Sequence, residues 1–187
     1  MQQIIKDNRI QEDNRILVGW PDVVQTEGSL KAEYVADNAA FQPMPGNRYI
    51  LPVDYWLTSA PEFSEYSEVP GVWISGSADL EALHEVFILA SLIAIEFGSF
   101  VDGSGFSTAS LIREEFNFQG ELRAFGSVLP DQVAYLLRCG FSSVAFSQTE
   151  DLEQAAQQLQ LSDCSYQGSV AQPRTPFLQR MNKSRRG

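Results

Sequence analysis

The chain has 187 residues, of which 24 are Asp or Glu and 13 are Lys or Arg, so its formal net charge at pH 7 is −11. This excess of negative charge argues against binding to nucleic acid or to an anionic membrane, because both surfaces repel it. With 44% hydrophobic and 20% charged residues, the composition is typical of a folded protein with a sizeable core. A disordered acidic chain is therefore excluded as well.

The charge is distributed unevenly along the chain. Residues 174–187 contain five basic and no acidic side chains, which leaves residues 1–173 with eight basic against 24 acidic side chains and a net charge of −16. Only three basic residues lie between residues 49 and 173: Arg113, Arg123 and Arg138. An anion bound by this part of the chain must contact one of these arginines, a cluster of backbone amides or a bound metal.

The start of the chain predicts a cytoplasmic protein without a secretory signal, because Ile4 and Ile5 are followed at once by charged and polar residues. The longest apolar run, residues 86–95, has about half the length of a membrane span. The two cysteines form no Cys-x-x-Cys pair and there is one histidine, so neither a disulfide framework nor a metal site is indicated. We expect a soluble protein.

Three segments follow one another along the chain. Residues 1–48 predict an N-terminal β-hairpin, built from Ile4-Ile5 and Ile16-Leu17-Val18 around turn-like residues, and then a connector. Residues 49–167 form the predicted α/β core domain. Residues 168–187 are a polar basic tail, which we expect to be mobile or docked on a partner.

The core segment alternates apolar runs with helical patterns. The runs that predict strands are residues 49–53, 71–75, 92–97, 121–125 and 143–146. The patterns that predict helices begin at Ser77, at Ser107 or Thr108, at Pro130 and at Glu150. In the first of these helices Leu80, Leu83, His84 and Phe87 are expected on one apolar face, which would make His84 a half-buried packing residue.

This alternation predicts an α/β protein with parallel strands joined by helical crossovers. The sheet is either open and layered or a partial (β/α) barrel, and the periodicity does not decide between them. A full eight-unit barrel needs about 250 residues and is excluded. Loops after the strands, at residues 98–107, 126–131 and 147–150, are the expected place for a site.

The first of these loops is rich in glycine. Gly103 and Gly105 precede a helix, so backbone amides could approach an anion, and Ser104 and Ser107 add hydroxyl donors. The spacing lacks the third glycine of a dinucleotide fingerprint and the Gly-Lys-Ser/Thr of a phosphate loop. A tight turn with a capped helix is favoured over anion binding, and both interpretations are retained.

The arginines are the candidate counter-charges for such an anion. Arg113 lies beyond the glycine loop on the predicted helix, and the sequence leaves open whether it points to that loop or to solvent. Arg123 lies between apolar neighbours on a strand, where a guanidinium needs a partner. An internal ion pair with Glu121, two residues away on the same face, is favoured over a ligand contact. For Arg138, in the last turn of its helix, a structural role is favoured.

Acidic residues near the same loops are further candidates. Asp102 adjoins the glycine loop, and Asp131, followed by Gln132, comes after the next strand. The two carboxylates could share a site as acid and base, although N-terminal capping of the helices explains both.

Four strings in the core resemble the central block of a bacterial family called domain of unknown function 934. They are Asp-Gly-x-Gly-x-Ser at residues 102–107, Gly-Glu-Leu-Arg-Ala-x-Gly at residues 120–126, Asp131-Gln132, and Leu-Arg-Cys-Gly-Phe at residues 137–141. Ile5-Lys6-Asp7, Leu51-Pro52 and Gly71-Val72-Trp73 look similar too, so the resemblance covers most of residues 1–167.

The resemblance implies a cytoplasmic protein of sulfur assimilation and cysteine biosynthesis, usually described as an oxidoreductase involved in sulfite reduction and associated with the assimilatory sulfite reductase. It supplies no established catalytic residues. Three positions that are commonly charged in the family are serines here: Ser104, Ser127 and Ser142. A site that depended on those charges would be weakened, whereas the fold would be kept.

Three functions are compatible with these observations. The first is an accessory protein that docks on sulfite reductase or on its electron donor through complementary charge. The second is an enzyme acting on a small anion at residues 102–108, and the third is a non-catalytic small-molecule binder at the same loop. The sequence contains no haem, flavin, nicotinamide or iron–sulfur motif, and redox chemistry requires an electron carrier. Whether the protein is an enzyme is left open.

Overall fold

A computed structural model describes residues 2–19, 32–33, 44, 46–59, 63, 68–99 and 101–161. Most of the predicted connector and the whole basic tail lie outside these residues, so the division at residues 48 and 167 stays a prediction.

The described residues form nine strands and five α-helices. The strands are β1 (Gln2–Lys6), β2 (Arg9–Asp13), β3 (Arg15–Val18), β4 (Ala32–Glu33), β5 (Arg48–Pro52), β6 (Gly71–Ser75), β7 (Leu92–Phe97), β8 (Glu121–Gly126) and β9 (Ser143–Ala145). The helices are α1 (Val53–Ser59), α2 (His84–Leu89), α3 (Ser104–Glu114), α4 (Val133–Arg138) and α5 (Thr149–Leu161).

All nine strands belong to one mixed sheet in the order β2-β1-β9-β8-β7-β6-β5-β3-β4. Neighbouring strands from β9 to β4 are parallel, and helices α1 to α4 lie in the chain between successive strands from β5 to β9. Strand β1 is antiparallel both to β2 and to β9. The α/β fold class predicted from the alternation is confirmed.

The sheet is curled into a partial barrel, which decides between the two predicted forms. Strands β2 and β3 stand near opposite ends of the strand order, yet only Asn14 separates Asp13 from Arg15 in the chain. Two residues span at most about 7 Å, so the sheet must bend until the end of β2 meets the start of β3.

The predicted N-terminal hairpin is confirmed at its turn, but the predicted second strand is wrong. Strands β1 and β2 pair around Asp7 and Asn8, whose φ angles of 52° and 59° are those of a tight two-residue turn. Residues 16–18, predicted to return alongside Ile4 and Ile5, instead form β3 and pair in parallel with β5. The next chain residues after the turn, Arg9–Asp13, supply the true partner strand.

The two faces of the sheet carry apolar layers of unequal size. The helices cover the large one, to which the strands contribute Ile5, Val18, Leu51, Val72, Ile74, Ile93, Ile95, Leu122, Ala124 and Val144. The small one, inside the curl, contains Ile4, Leu17, Ile50, Leu92, Ala94, Phe125 and Ala145, with Trp73 packed against it. Because both faces are buried, β6 to β9 are almost continuously apolar in sequence.

The first predicted helix differs in part from the observed one. One turn of 3-10 helix, Glu81–Leu83, leads into α2, so no helix starts at Ser77. Of the predicted apolar face, Leu80 and Leu83 are buried and Phe87 packs partly buried against the core. His84 is exposed rather than half-buried, and Val86 takes the buried position instead.

Candidate functional site

Five charged side chains meet inside the curl, where β3, β8 and β9 begin; we call them the interior charge cluster. They are Lys6, Asp13, Arg15, Glu121 and Arg123. Arg123 lies at the centre and is only 2% exposed. Alternation along β8 turns Glu121 and Arg123 to the same face, away from the helices.

The partners of the Arg123 guanidinium are side chains of this cluster and the neighbouring Ser143. Its Nη1 forms an ion pair with Asp13, and its Nη2 donates to Glu121 Oε1 at 2.6 Å. Its Nε lies 3.2 Å from Ser143 Oγ. The predicted ion pair between Arg123 and Glu121 is confirmed, and a ligand could reach this guanidinium only by displacing a carboxylate.

Glu121 joins the hairpin to the centre of the sheet. Its Oε2 accepts a hydrogen bond from Lys6 Nζ at 2.6 Å, and its Oε1 accepts one from Ser143 Oγ at 2.6 Å. Burial alone raises the pKa of Glu121, but Arg123, Lys6 and Ser143 outweigh it and lower this pKa from 4.5 to about 2. The carboxylate is therefore charged at any physiological pH.

Asp13 and Lys6 belong to this cluster and Ser143 adjoins it, although the sequence did not single them out. Asp13 is 110 residues from Arg123, and Lys6 is 115 residues from Glu121. No local pattern reveals such pairs. The one signal in the sequence was the five N–H donors of Arg123, which a single carboxylate two residues away could not all satisfy.

Arg113 points neither to the glycine loop nor to solvent. Its Nε donates to the carbonyl oxygen of Gly140 at 2.9 Å, and its Nη1 donates to those of Phe118 at 2.6 Å and Gly120 at 2.9 Å. Burial lowers the pKa of this guanidinium. These carbonyls precede β8 and β9, whereas the glycine loop follows the end of β7, so the structure does not bring Arg113 and that loop together.

The glycine loop leads into α3 earlier than expected. The helix begins at Ser104, so the prediction of an N-cap at Ser107 or Thr108 is wrong by about one turn. Ser107 is exposed, and Thr108 Oγ1 instead donates to the carbonyl oxygen of Gly76 at 2.6 Å. This long-range hydrogen bond uses the hydroxyl that the sequence suggested for a cap or an anion.

An acidic side chain stands at the start of α3. Asp102 Oδ1 accepts a hydrogen bond from the backbone amide of Ser104 at 2.9 Å. This hydrogen bond from the Ser104 backbone lowers the pKa of Asp102. A negative charge therefore already occupies the positive end of the helix dipole, which disfavours a second anion there.

The two glycines of the loop have different surroundings. A Cβ added to Gly105 would lie 2.7 Å from Phe97 Cζ, so this glycine allows the helix to approach the end of β7. A Cβ added to Gly103 would meet nothing within 4 Å. The close approach at Gly105 supports the interpretation of the loop as a tight strand-to-helix turn.

The remaining candidates lie around α4. Asp131 is exposed in the 3-10 turn Pro130–Gln132 that precedes α4. Gln132 closes this turn, because its side-chain Oε1 accepts a hydrogen bond from the Leu129 amide at 3.0 Å. Arg138 lies in the last turn of α4, where its charge complements the helix dipole.

The three serines at family-charged positions lie against the backbone of the sheet. The Ser142 hydroxyl accepts from the Leu122 amide at 2.9 Å, and the Ser127 amide donates to the Phe97 carbonyl at 2.7 Å. Ser104 Oγ lies 2.7 Å from the position of a Cβ on Gly76. Ser104 and Ser127 thus lie beyond the carboxyl ends of strands, whereas Ser142 lies before β9 at the other end of the sheet.

Fold and site together define a small α/β protein with a partial barrel and an internal, self-satisfied charge cluster. Among the residues described, no group of three His, Cys, Asp or Glu side chains is placed to hold a metal ion, and no helix is long and apolar enough to cross a membrane. Residues 71–177 match the family model described as "Bacterial protein of unknown function (DUF934)", and the chain belongs to this family. No curated protein matches the chain.

Proposed function

We propose that the protein is an accessory protein of assimilatory sulfite reduction, which docks on sulfite reductase or on its electron donor. The link to sulfite reduction comes from the family resemblance. The observation that favours docking over small-anion chemistry is the commitment of two arginines to the fold. Arg113 is bonded to three backbone carbonyls and Arg123 to two carboxylates.

An oxidoreductase or other enzyme acting on a small anion at residues 102–108 is the weaker alternative. The cations it would use are turned away from the loop, and the Asp102 carboxylate occupies the start of α3. Sulfite would therefore have to approach a negative charge without a neighbouring arginine. Electrostatic stabilisation of a reacting anion needs the opposite arrangement.

The charge of the chain supports docking on a basic partner. Residues 1–173 carry a net charge of −16. The most buried members of the interior charge cluster, Asp13, Glu121 and Arg123, account for only −1 of this charge, so most of the acidic excess lies outside the cluster. Complementary charge of this kind accelerates association and fixes the orientation of the partners.

Association is tested with purified full-length protein and purified sulfite reductase. We expect a complex in sedimentation velocity at about 0.01 M salt that dissociates at about 0.5 M salt, since screening shortens the reach of surface charges. The electron donor of the reductase is tested in parallel. Failure to associate with either protein at the lower salt concentration would contradict the proposal.

Deletion of the gene tests the place in metabolism independently. The proposal predicts poor growth when sulfate or sulfite is the sulfur source and normal growth on sulfide, because only the first two must pass through sulfite reduction. Normal growth on all three, together with unchanged sulfite reductase activity in extracts, would argue against a role in this step.

A further inference from the structure

The outer surface of α2 and α3 exposes apolar side chains that the fold does not use. Ile88 is 68% exposed and Leu89 54% exposed on α2, and Leu111 is 45% exposed on α3. The C-terminal ends of the two helices are joined by contact between Phe87 and Phe116, whose ring centroids are 4.5 Å apart. The Phe116 amide donates to the Leu111 carbonyl oxygen at 3.4 Å, and Ile88 follows Phe87 directly in α2, so Leu111 and Ile88 lie next to this contact.

Acidic side chains border these apolar residues. Glu85 precedes Ile88 and Leu89 by three and four positions, and Leu111 precedes Glu114 and Glu115 by the same intervals. Residues at these spacings are neighbours on a helix surface. All three glutamates are exposed, as is Glu81 one turn before Glu85. We call the set Glu81, Glu85, Ile88, Leu89, Leu111, Glu114 and Glu115 the α2–α3 surface.

No lysine or arginine of this part of the chain neutralises these acids. Arg113 is the only Lys or Arg between residues 49 and 122. Its guanidinium is bonded to backbone carbonyls on the inner side of α3 and stacks at 5.5 Å over the Phe118 ring. The one histidine, His84, is exposed on the same helix as Glu85. Among the described residues, no ion pair joins one of these glutamates to a Lys or Arg, so their charge is available to a basic partner face.

We infer that the α2–α3 surface is the docking site for a protein face with apolar residues at its centre and Lys or Arg around them. This inference rests on the proposed function and identifies the partner face as one on a sulfite reductase component. Interfaces commonly have an apolar centre and a polar rim, and clustered exposed apolar residues mark such sites. The acidic rim selects a basic partner and rejects an acidic one, because like charges repel.

The test compares four full-length variants for binding to purified sulfite reductase at low salt. Leu111→Ser removes an apolar contact, and its control is Leu129→Ser, at a leucine that is 43% exposed outside this surface. Glu114→Lys reverses a rim charge, and its control is Glu153→Lys on the exposed side of α5. We expect Kd to rise at least about tenfold for Leu111→Ser and Glu114→Lys and to change less than about twofold for the controls. Circular dichroism and the unfolding midpoint confirm that each variant is folded.

The outcomes separate the two proposals. If the wild-type protein binds the reductase and all four variants bind equally well, the α2–α3 surface is wrong as the docking site while the proposed function stands. If the wild-type protein binds neither the reductase nor its electron donor, the proposed function fails and the docking inference falls with it. If it binds the electron donor alone, the proposed function stands and the inferred partner is wrong. If Leu111→Ser instead abolishes self-association of the protein without affecting the reductase, the surface joins two copies of this chain and the inferred partner is wrong.

Discussion

Glu121 shows how one buried carboxylate makes the stability of the protein depend on pH. Its pKa is about 2 in the folded protein, against an ordinary value of 4.5. A lowered pKa means that the folded state favours the charged form, so the stabilisation is complete above pH 4.5. It is lost as the pH falls from about 4.5 through about 2, and it is absent below that range, where the carboxylate is protonated in both states.

Glu121→Gln should therefore destabilise the protein at neutral pH and leave its stability less dependent on acid. After allowance for partial solvent screening, we expect a loss of about 2 kcal/mol at pH 7. The difference between wild type and variant should shrink as the pH approaches 2. Urea unfolding at pH 7, 4 and 3 measures both effects.

The control for this change is Glu153→Gln, at an exposed glutamate on α5. It should alter the free energy of unfolding by less than about 0.5 kcal/mol at every pH. A constant difference between Glu121→Gln and wild type from pH 7 to pH 3 would show that the Glu121 charge does not stabilise the fold.

At the scale of single elements, the N-terminus of α3 illustrates how tertiary contacts set a helix boundary. The backbone amide of Ser104 is satisfied by Asp102, and the Thr108 hydroxyl is used by Gly76 rather than by its own helix. The loop before α3 is also fixed by the contact between Gly105 and the Phe97 ring. Gly105 thus allows the helix to lie close to the end of β7.

The two glycines of this loop should respond differently to the same substitution. Gly105→Ala forces the added methyl group against the Phe97 ring, and we expect a destabilisation of about 1–3 kcal/mol. Gly103→Ala meets nothing within 4 Å and has a φ of −86°, so it should be neutral or slightly stabilising. Thermal or urea unfolding measures the stability of both variants. An equal loss of stability in the two would contradict the tight packing of Gly105 against Phe97.

The sequence predicted strands better than helix starts, and the reason is physical. Strands β6 and β7 are buried on both faces, which leaves apolar runs bounded by glycine or charge, and residues 71–75 and 92–97 were predicted with their observed bounds. Helix starts depend on which hydroxyl or carboxylate reaches an amide, and Ser107 and Thr108 were equally plausible caps. Similarly, the ion pair of Arg123 with Glu121 was predictable because the two residues are two positions apart on one strand. The ion pair of Arg123 with Asp13 was not, because 110 residues separate them.

For the whole molecule, Asp13 couples the two ends of the strand order. Its Oδ1 accepts a hydrogen bond from Arg15 Nη1 at 3.1 Å, and its Oδ2 pairs with Arg123. It therefore links the end of β2, the start of β3 and the middle of the sheet. Because Arg123 is buried and is paired with both Asp13 and Glu121, each carboxylate is costly to lose.

Asp13→Asn should consequently destabilise the fold by about 3 kcal/mol, because it leaves Arg123 buried with less compensating charge. The adjacent Glu12→Gln removes an exposed charge from the same strand and should cost less than about 0.5 kcal/mol. Urea unfolding at pH 7 measures both values. A similar small effect for the two variants would show that the link between the sheet ends is not important for stability.

The place of β1 beside β9 has a consequence for synthesis in the cell. The ribosome makes β1 first and β9 last among the strands, and the residues between them are added at about 5–20 per second. The hairpin of β1 and β2 must therefore wait about 7 to 25 seconds for its neighbour. Hairpins themselves form within microseconds, so this waiting time is set by translation. Of the described strands, the first to emerge is thus among the last to find its place, and meanwhile it exposes Ile4 and Ile5 to any chaperone that binds the nascent chain.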